Sequence, residues 1–208
     1  MSTTETPKLE VRGASKNFGS LAAVANVSMT VAHGELRAVI GPNGAGKTTF
    51  FNLITGFFPP SSGEILLDGN SVNRVPAAGR VKLGMARTFQ ITEIFPELTV
   101  RQNVHIAVES GLGFGLRAWL GRAERQRVSE VGAEVIGLAG LDDKADRLVG
   151  EMAHGDQRAA EIAMALALKP SLLLLDEPTA GMGDEETYQI TGLIRRLHRD
   201  SRYTIVLI

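Results

Sequence analysis

Nine residues constrain this chain more than any others: Gly41, Pro42, Asn43, Gly44, Ala45, Gly46, Lys47, Thr48 and Thr49. They follow the short apolar run Leu36–Ile40 and lead into Thr49–Thr55, which reads as a helix. A strand, a glycine-rich turn and a helix, in that order, make a phosphate-binding loop. The glycines permit backbone angles and close approaches that a β-carbon would block. Successive N–H groups then wrap a polyphosphate, helped by the positive end of the following helix. In such a loop Lys47 reaches the β- and γ-phosphates, and Thr48 puts its hydroxyl on Mg²⁺.

The surroundings fit an α/β fold. Short β-like segments run from Leu9 to Ile40, Val27–Val31 among them, punctuated by Gly13, Gly19 and Gly34. A turn cluster at Phe58–Gly63 precedes a strand at Glu64–Leu67, a turn at Asp68-Gly69 and a further strand at Leu83–Phe89. From about Ile91 to Leu148 the pattern is mostly helical, with a glycine-rich break at Gly111–Gly115. A helix over Asp156–Leu168 stops at Lys169-Pro170. Ser171–Leu175 is continuously apolar, as in a parallel strand buried on both faces. Glu185–Arg199 reads as a helix and Tyr203–Ile208 as a second buried strand. The pattern is an α/β core, residues 1–90 and 156–208, interrupted by a helical subdomain at 91–155.

Asp176-Glu177 closes the leucine strand, at the crevice where ligands bind in open α/β sheets. Asp176 suits a magnesium ligand, direct or through water, and Glu177 a general base polarising an attacking water. An acidic helix cap fits the same two residues; the phosphate loop upstream favours the metal and base roles. Net charge is −1, which offers no electrostatic reason for a nucleic-acid partner. There are no cysteines, so disulfides, thiolate nucleophiles and cysteine metal sites are excluded. The four histidines, His33, His105, His154 and His198, lack metal-ligand spacing. No signal peptide opens the chain, and its longest apolar stretch, Ile162–Leu175, is broken at Lys169-Pro170. The expectation is a cytosolic chain that reaches a membrane only through a partner.

Taken together these motifs resemble the ATP-binding-cassette (ABC) ATPases. Gly41–Thr49 is similar to their Walker A motif and Leu172–Pro178 to their Walker B. Met152–Arg158 resembles their signature motif, Gln90 their Q-loop glutamine, and Phe18 the aromatic ring they place against adenine. The resemblance runs from about Leu9 to the end of the chain. It implies a P-loop NTPase (RecA-like) core with an antiparallel β subdomain and an inserted helical subdomain. It further implies two cassettes meeting head to tail around two ATP molecules, as a homodimer or a heterodimer. Each ATP then touches the P-loop of one subunit and the signature of the other, here Ala153, His154, Gly155 and Asp156. In this scheme Lys47, Gln90 and Glu177 are catalytic, and Thr48, Gln90 and Asp176 hold Mg²⁺. N–H groups at Gly155–Gln157 are expected to meet a γ-phosphate.

Gly84–Gln90, Ile94–Val100 and Asn103-Val104 further resemble the ATPases of branched-chain amino-acid importers, with amide and urea importers sharing much of the pattern. The implied partners are a second ATPase subunit, integral membrane permeases on whose cytoplasmic face the chain sits, and indirectly a solute-binding protein. Phe114 and Trp119 fit either a surface facing a membrane subunit or a core. Three features depart from the family pattern. Ala153 replaces the signature serine, and Gly183 stands where the D-loop ends in aspartate, with Asp184 one place later. The chain also ends at Ile208, before the family's switch histidine. The sequence is therefore expected to be truncated, and 208 residues alone to bind ATP poorly and hydrolyse it slowly. A nucleotide-binding regulatory module with little hydrolysis is the alternative of another class.

Overall fold

The computed structural model describes residues 6–88, 94–114, 119–200 and 202–208. Their contacts divide them into two units: 1–87 with 171–176 and 200–208, and 88–170 with 177–199. The partition read from the sequence keeps 156–208 together. By contacts, the helices within it go with the inserted segment, because 154–167 and 184–199 pack on each other and on the helix at 122–139.

The first unit holds two sheets. β1 (Leu9–Phe18) and β2 (Leu21–Val31) pair antiparallel, and β4 (Ser62–Leu67) and β5 (Asn70–Ser71) complete the order β2-β1-β4-β5. The sequence suggests short segments here, yet β1 and β2 run 10 and 11 residues. Gly13, at φ 56, sits where the β1 register shifts and absorbs the irregularity as a bulge. Asp68 and Gly69, at φ 49 and 76, make the two-residue turn from β4 to β5, a conformation whose twist matches the strands.

The other sheet carries the site. Its order is β3 (Leu36–Ala38), β8 (Thr204–Leu207), β7 (Leu172–Leu175), β6 (Met85–Thr88), with β8 parallel to both β3 and β7. Every residue of β7 is fully buried, which explains a leucine run with no alternation. α1 (Lys47–Thr55) sinks Phe50, Phe51, Leu53 and Ile54 into a core shared with Leu9, Ile65 and Leu172. It ends at Gly56, whose left-handed conformation caps the helix.

Arg80, on α2 (Ala77–Lys82), completes that cap. Its side chain is fully buried and donates to four carbonyls: Leu53 (2.8 Å), Ile54 (2.6 Å), Val72 (2.6 Å) and Val75 (2.9 Å). Two of these end α1, so one guanidinium satisfies helix-terminal acceptors and ties them to the chain after β5. Burial pulls its pKa down to about 10. Arg80→Met is expected to lower stability by about 3 kcal/mol or more in urea unfolding, since several buried carbonyls lose their donor at once. A loss below about 1 kcal/mol would show that water replaces the guanidinium.

The second unit is helical. α3 (Val100–Gly111) begins with a capping box: Thr99 accepts from the Gln102 N–H at 3.2 Å and donates its own N–H to the Gln102 side chain at 2.8 Å. Asn103, fully buried, accepts from the Phe95 N–H and donates to the carbonyls of Phe95 and Thr99, so it shapes the turn before the helix. α4 (Arg122–Ala139) and α5 (His154–Ala167) pack on α3. α6 (Asp184–Arg199) buries Ile190, Leu193, Ile194 and Leu197 along one face, at helical spacing.

Candidate functional site

The phosphate loop lies between β3 and α1, and its residues from Gly41 to Ala45 are exposed. Gly46 is the N-cap of α1 at φ 82, and a β-carbon there would stand 2.1 Å from the Ala23 carbonyl oxygen on β2. Gly44 is also left-handed, at φ 79. Gly41 is not, so its contribution is room: a β-carbon would touch that of Ala45 at 3.4 Å. No side chain caps the start of α1 and no acid lies in its first turn, which leaves the positive helix end to an anion. Lys47 Nζ donates to the carbonyls of Gly41 (2.9 Å) and Pro42 (3.0 Å), folding the cation over the loop.

Asp176 follows β7. Because β3, β8 and β7 are parallel neighbours, the loop and Asp176 emerge at the same carboxyl edge, two strand spacings or roughly 10 Å apart. Asp176 is fully buried and ion-paired to Arg87, whose side chain is itself buried. Arg87 also donates to Asn52 Oδ1 at 2.5 Å and lies 5.8 Å from the Phe51 ring centroid. It thereby links the acid at the end of β7 to the helix that carries the phosphate loop. Sequence reasoning missed it: Arg87 lies in the quoted run Gly84–Gln90, but its partner follows from the sheet order β7-β6.

Magnesium fits this donor set. A threonine hydroxyl and a carboxylate are hard oxygen donors, and Mg²⁺ takes few of these from protein and the rest from phosphate and water. The guanidinium paired to Asp176 would compete with such an ion for the same carboxylate. Phe18 keeps 44% of its surface exposed; its ring meets Phe58 edge-on at 5.5 Å, and Lys16 Nζ stands 5.3 Å from its centroid. A partly open ring beside a cation can stack on a base whose phosphates lie nearby. Gln90 lies outside the described residues.

In the second unit, Glu177 takes a left-handed backbone at φ 43, unusual for any residue but glycine and a mark of strain often found at reactive positions. It lines a cavity of about 60 Å³ together with His154, Arg158 and Glu161. Arg158 and Glu161 form a buried ion pair. The signature-like residues open α5, with Ala153 as an N-cap that supplies no side-chain bond. Asp156 is held by Lys144 Nζ, 2.8 Å from each carboxylate oxygen. Two N–H groups expected to meet phosphate already have acceptors. Gln157 donates to the Ala153 carbonyl at 3.0 Å, and Gly155 donates to Glu186 Oε1 at 2.9 Å. Trp119, which fits either a surface or a core in the sequence, is 84% exposed.

The family model for the ABC transporter domain matches residues 24–180. The chain is 38% identical over 208 residues to the high-affinity branched-chain amino acid transport ATP-binding protein BraF of Pseudomonas aeruginosa, across 97% of this chain and 81% of that protein. Among solved structures, the ADP conformation of MJ1267, an ATP-binding cassette of an ABC transporter, superposes with a TM-score of 0.84 at 26% identity. It covers 97% of this chain and 80% of that one. A dimeric post-hydrolysis state of the cassette MJ0796, bound to ADP and phosphate, follows with a TM-score of 0.77 at 25% identity over 96% and 86% of the two chains. A Walker-type loop, an acid at the same sheet edge and a family match spanning both lead to one conclusion: this chain belongs to the ATP-binding cassette family of ABC transporters.

Proposed function

We propose that this chain hydrolyses Mg·ATP to power a membrane importer of branched-chain amino acids. The observation that supports the reading is the shared carboxyl edge of β3 and β7, from which the loop carrying Lys47 and Thr48 and the acid Asp176 both emerge. The 38% identity to BraF along 97% of the chain supports the choice of solute. Lys47 exchanges the loop carbonyls for the β- and γ-phosphates, while the loop N–H groups neutralise charge that develops as the γ-phosphoryl leaves. Phe18 positions the base. Thr48 and Asp176, with Gln90, would hold Mg²⁺, which when bound would supply positive charge beside the phosphates. Glu177 accepts a proton from the water that attacks the γ-phosphorus in line with the leaving oxygen.

One cassette supplies half of each site. Residues Ala153–Asp156 serve the ATP of a second ATPase subunit, a pairing supported by the dimeric neighbour with ADP and phosphate. Among the described residues no helix is long and apolar enough to cross a membrane, so the proposed contact with the bilayer runs through permease subunits. Co-expression with the membrane and solute-binding subunits, followed by leucine uptake into vesicles, tests the assignment. ATP-dependent leucine uptake is the expected result. Uptake of urea or an amide instead would overturn the solute and leave the ATPase standing.

A further inference from the structure

The start of α5 is a helix end without a cap of its own. Its N-cap is Ala153, whose methyl group offers no acceptor, and its only first-turn acid, Asp156, is engaged by Lys144. A helix terminus needs acceptors for its first N–H groups. Here the acceptor comes from another helix. Glu186, in the first turn of α6, places Oε1 2.9 Å from the Gly155 N–H and Oε2 3.3 Å from the Gly183 N–H. A β-carbon on Gly155 would stand 3.1 Å from that of Glu186, so the glycine is also what lets α6 approach. Those two N–H bonds, Gly155's the stronger and Gly183's the weaker, hold the Glu186 carboxyl below the usual carboxylate range, with His154 adding to the effect.

We propose that Glu186 is an internal stand-in for phosphate: its carboxylate occupies the signature N–H of Gly155 until the γ-phosphate of an ATP on a second cassette displaces it. This rests on the reading that Ala153–Asp156 serve the ATP of a partner subunit. The two acceptors compete for one donor, and both are anionic, so they cannot occupy it together. The other oxygen accepts from the Gly183 N–H three residues back, a local bond that anchors the side chain at the start of α6. Glu186 is a positioning residue in this scheme and touches neither the attacking water nor the metal.

The competition makes a signed prediction. An acceptor that only props up the helix would, when weakened, impair dimer formation. A competitor, when weakened, makes it easier. In a Glu177→Gln background, which traps ATP, Glu186→Gln keeps the shape and one neutral acceptor but removes the charge. The ATP concentration for half-maximal dimerisation, followed by analytical ultracentrifugation, is expected to fall about threefold to tenfold, the equilibrium weight of one hydrogen bond. Glu186→Ala is expected to shift it the same way, with circular dichroism melting as the check that the helices persist. An unchanged or higher ATP requirement in a folded Glu186→Gln protein overturns the competition while the ATPase reading stands. A Glu177→Gln parent that binds fluorescent ATP yet never pairs, either with itself or with the second ATPase subunit of its transporter, overturns the partner-site reading, and the proposal with it.

Discussion

Glu177→Gln is expected to cut steady-state ATP turnover by about 10²- to 10⁴-fold, the usual weight of a positioned general base. Glutamine has nearly the same volume and can occupy the same left-handed backbone at φ 43, so the turn after β7 should persist. What it cannot do is take a proton from water. Binding should therefore survive while hydrolysis does not. Phosphate release and fluorescent-nucleotide titration, measured on the same preparation, separate the two. The left-handed conformation matters because it turns the chain sharply between Asp176, which ends a buried strand, and Pro178, which leads out of it. Turnover within about twofold of the parent would remove Glu177 from the chemistry and leave its strain as a feature of the turn alone.

Gly46→Ala is expected to weaken nucleotide binding by about a hundredfold or more, the scale of effect that follows when a binding constellation moves by an ångström. Two causes add. An L-residue at φ 82 costs about 1–2 kcal/mol against glycine. The larger cause is contact: the new β-carbon would lie 2.1 Å from the Ala23 carbonyl oxygen, a backbone atom of β2 that cannot rotate aside. The loop must shift, and its N–H groups with it. Gly44→Ala is the matched control, since it has a similar φ of 79 and nothing within 4 Å of the added carbon. It should lose only what the backbone angle costs. Equal loss of affinity at the two positions would show that conformation, and not the approach of β2, is what requires glycine.

Some of this architecture is written locally. The glycine loop, the leucine run of β7 and the acids after it are each contiguous, and their chemistry depends on neighbours in sequence. The apolar run 172–175 declares a strand buried on both faces because no face of it is polar. The Asp68-Gly69 turn is equally local, since few residue pairs accept two positive φ values. Helices α5 and α6 begin within two residues of their expected starts, and the breakers Pro170 and Gly183 mark where α5 has ended and α6 begins. The lengths of β1 and β2 were less legible: Gly13 looks like a strand end in sequence but acts as a bulge, a distinction that only the pairing partner makes.

The residues missed by sequence reasoning share one property. Arg80, Arg87 and Glu186 each act on groups far along the chain: Arg80 on the end of α1, Arg87 on Asp176, Glu186 on Gly155. A lone arginine or glutamate on a helix or strand reads as a solvated charge, and nothing in its own neighbours says otherwise. Sequence alone pointed to a nucleoside-triphosphate-binding α/β fold, because loop, strand and acid are local patterns that in combination favour one chemistry. Tertiary structure decided which charges are spoken for. Sheet order put Arg87 against Asp176, and helix packing put Glu186 on the Gly155 N–H, because a long-range ion pair or cap exists only once the elements carrying its two ends have been placed.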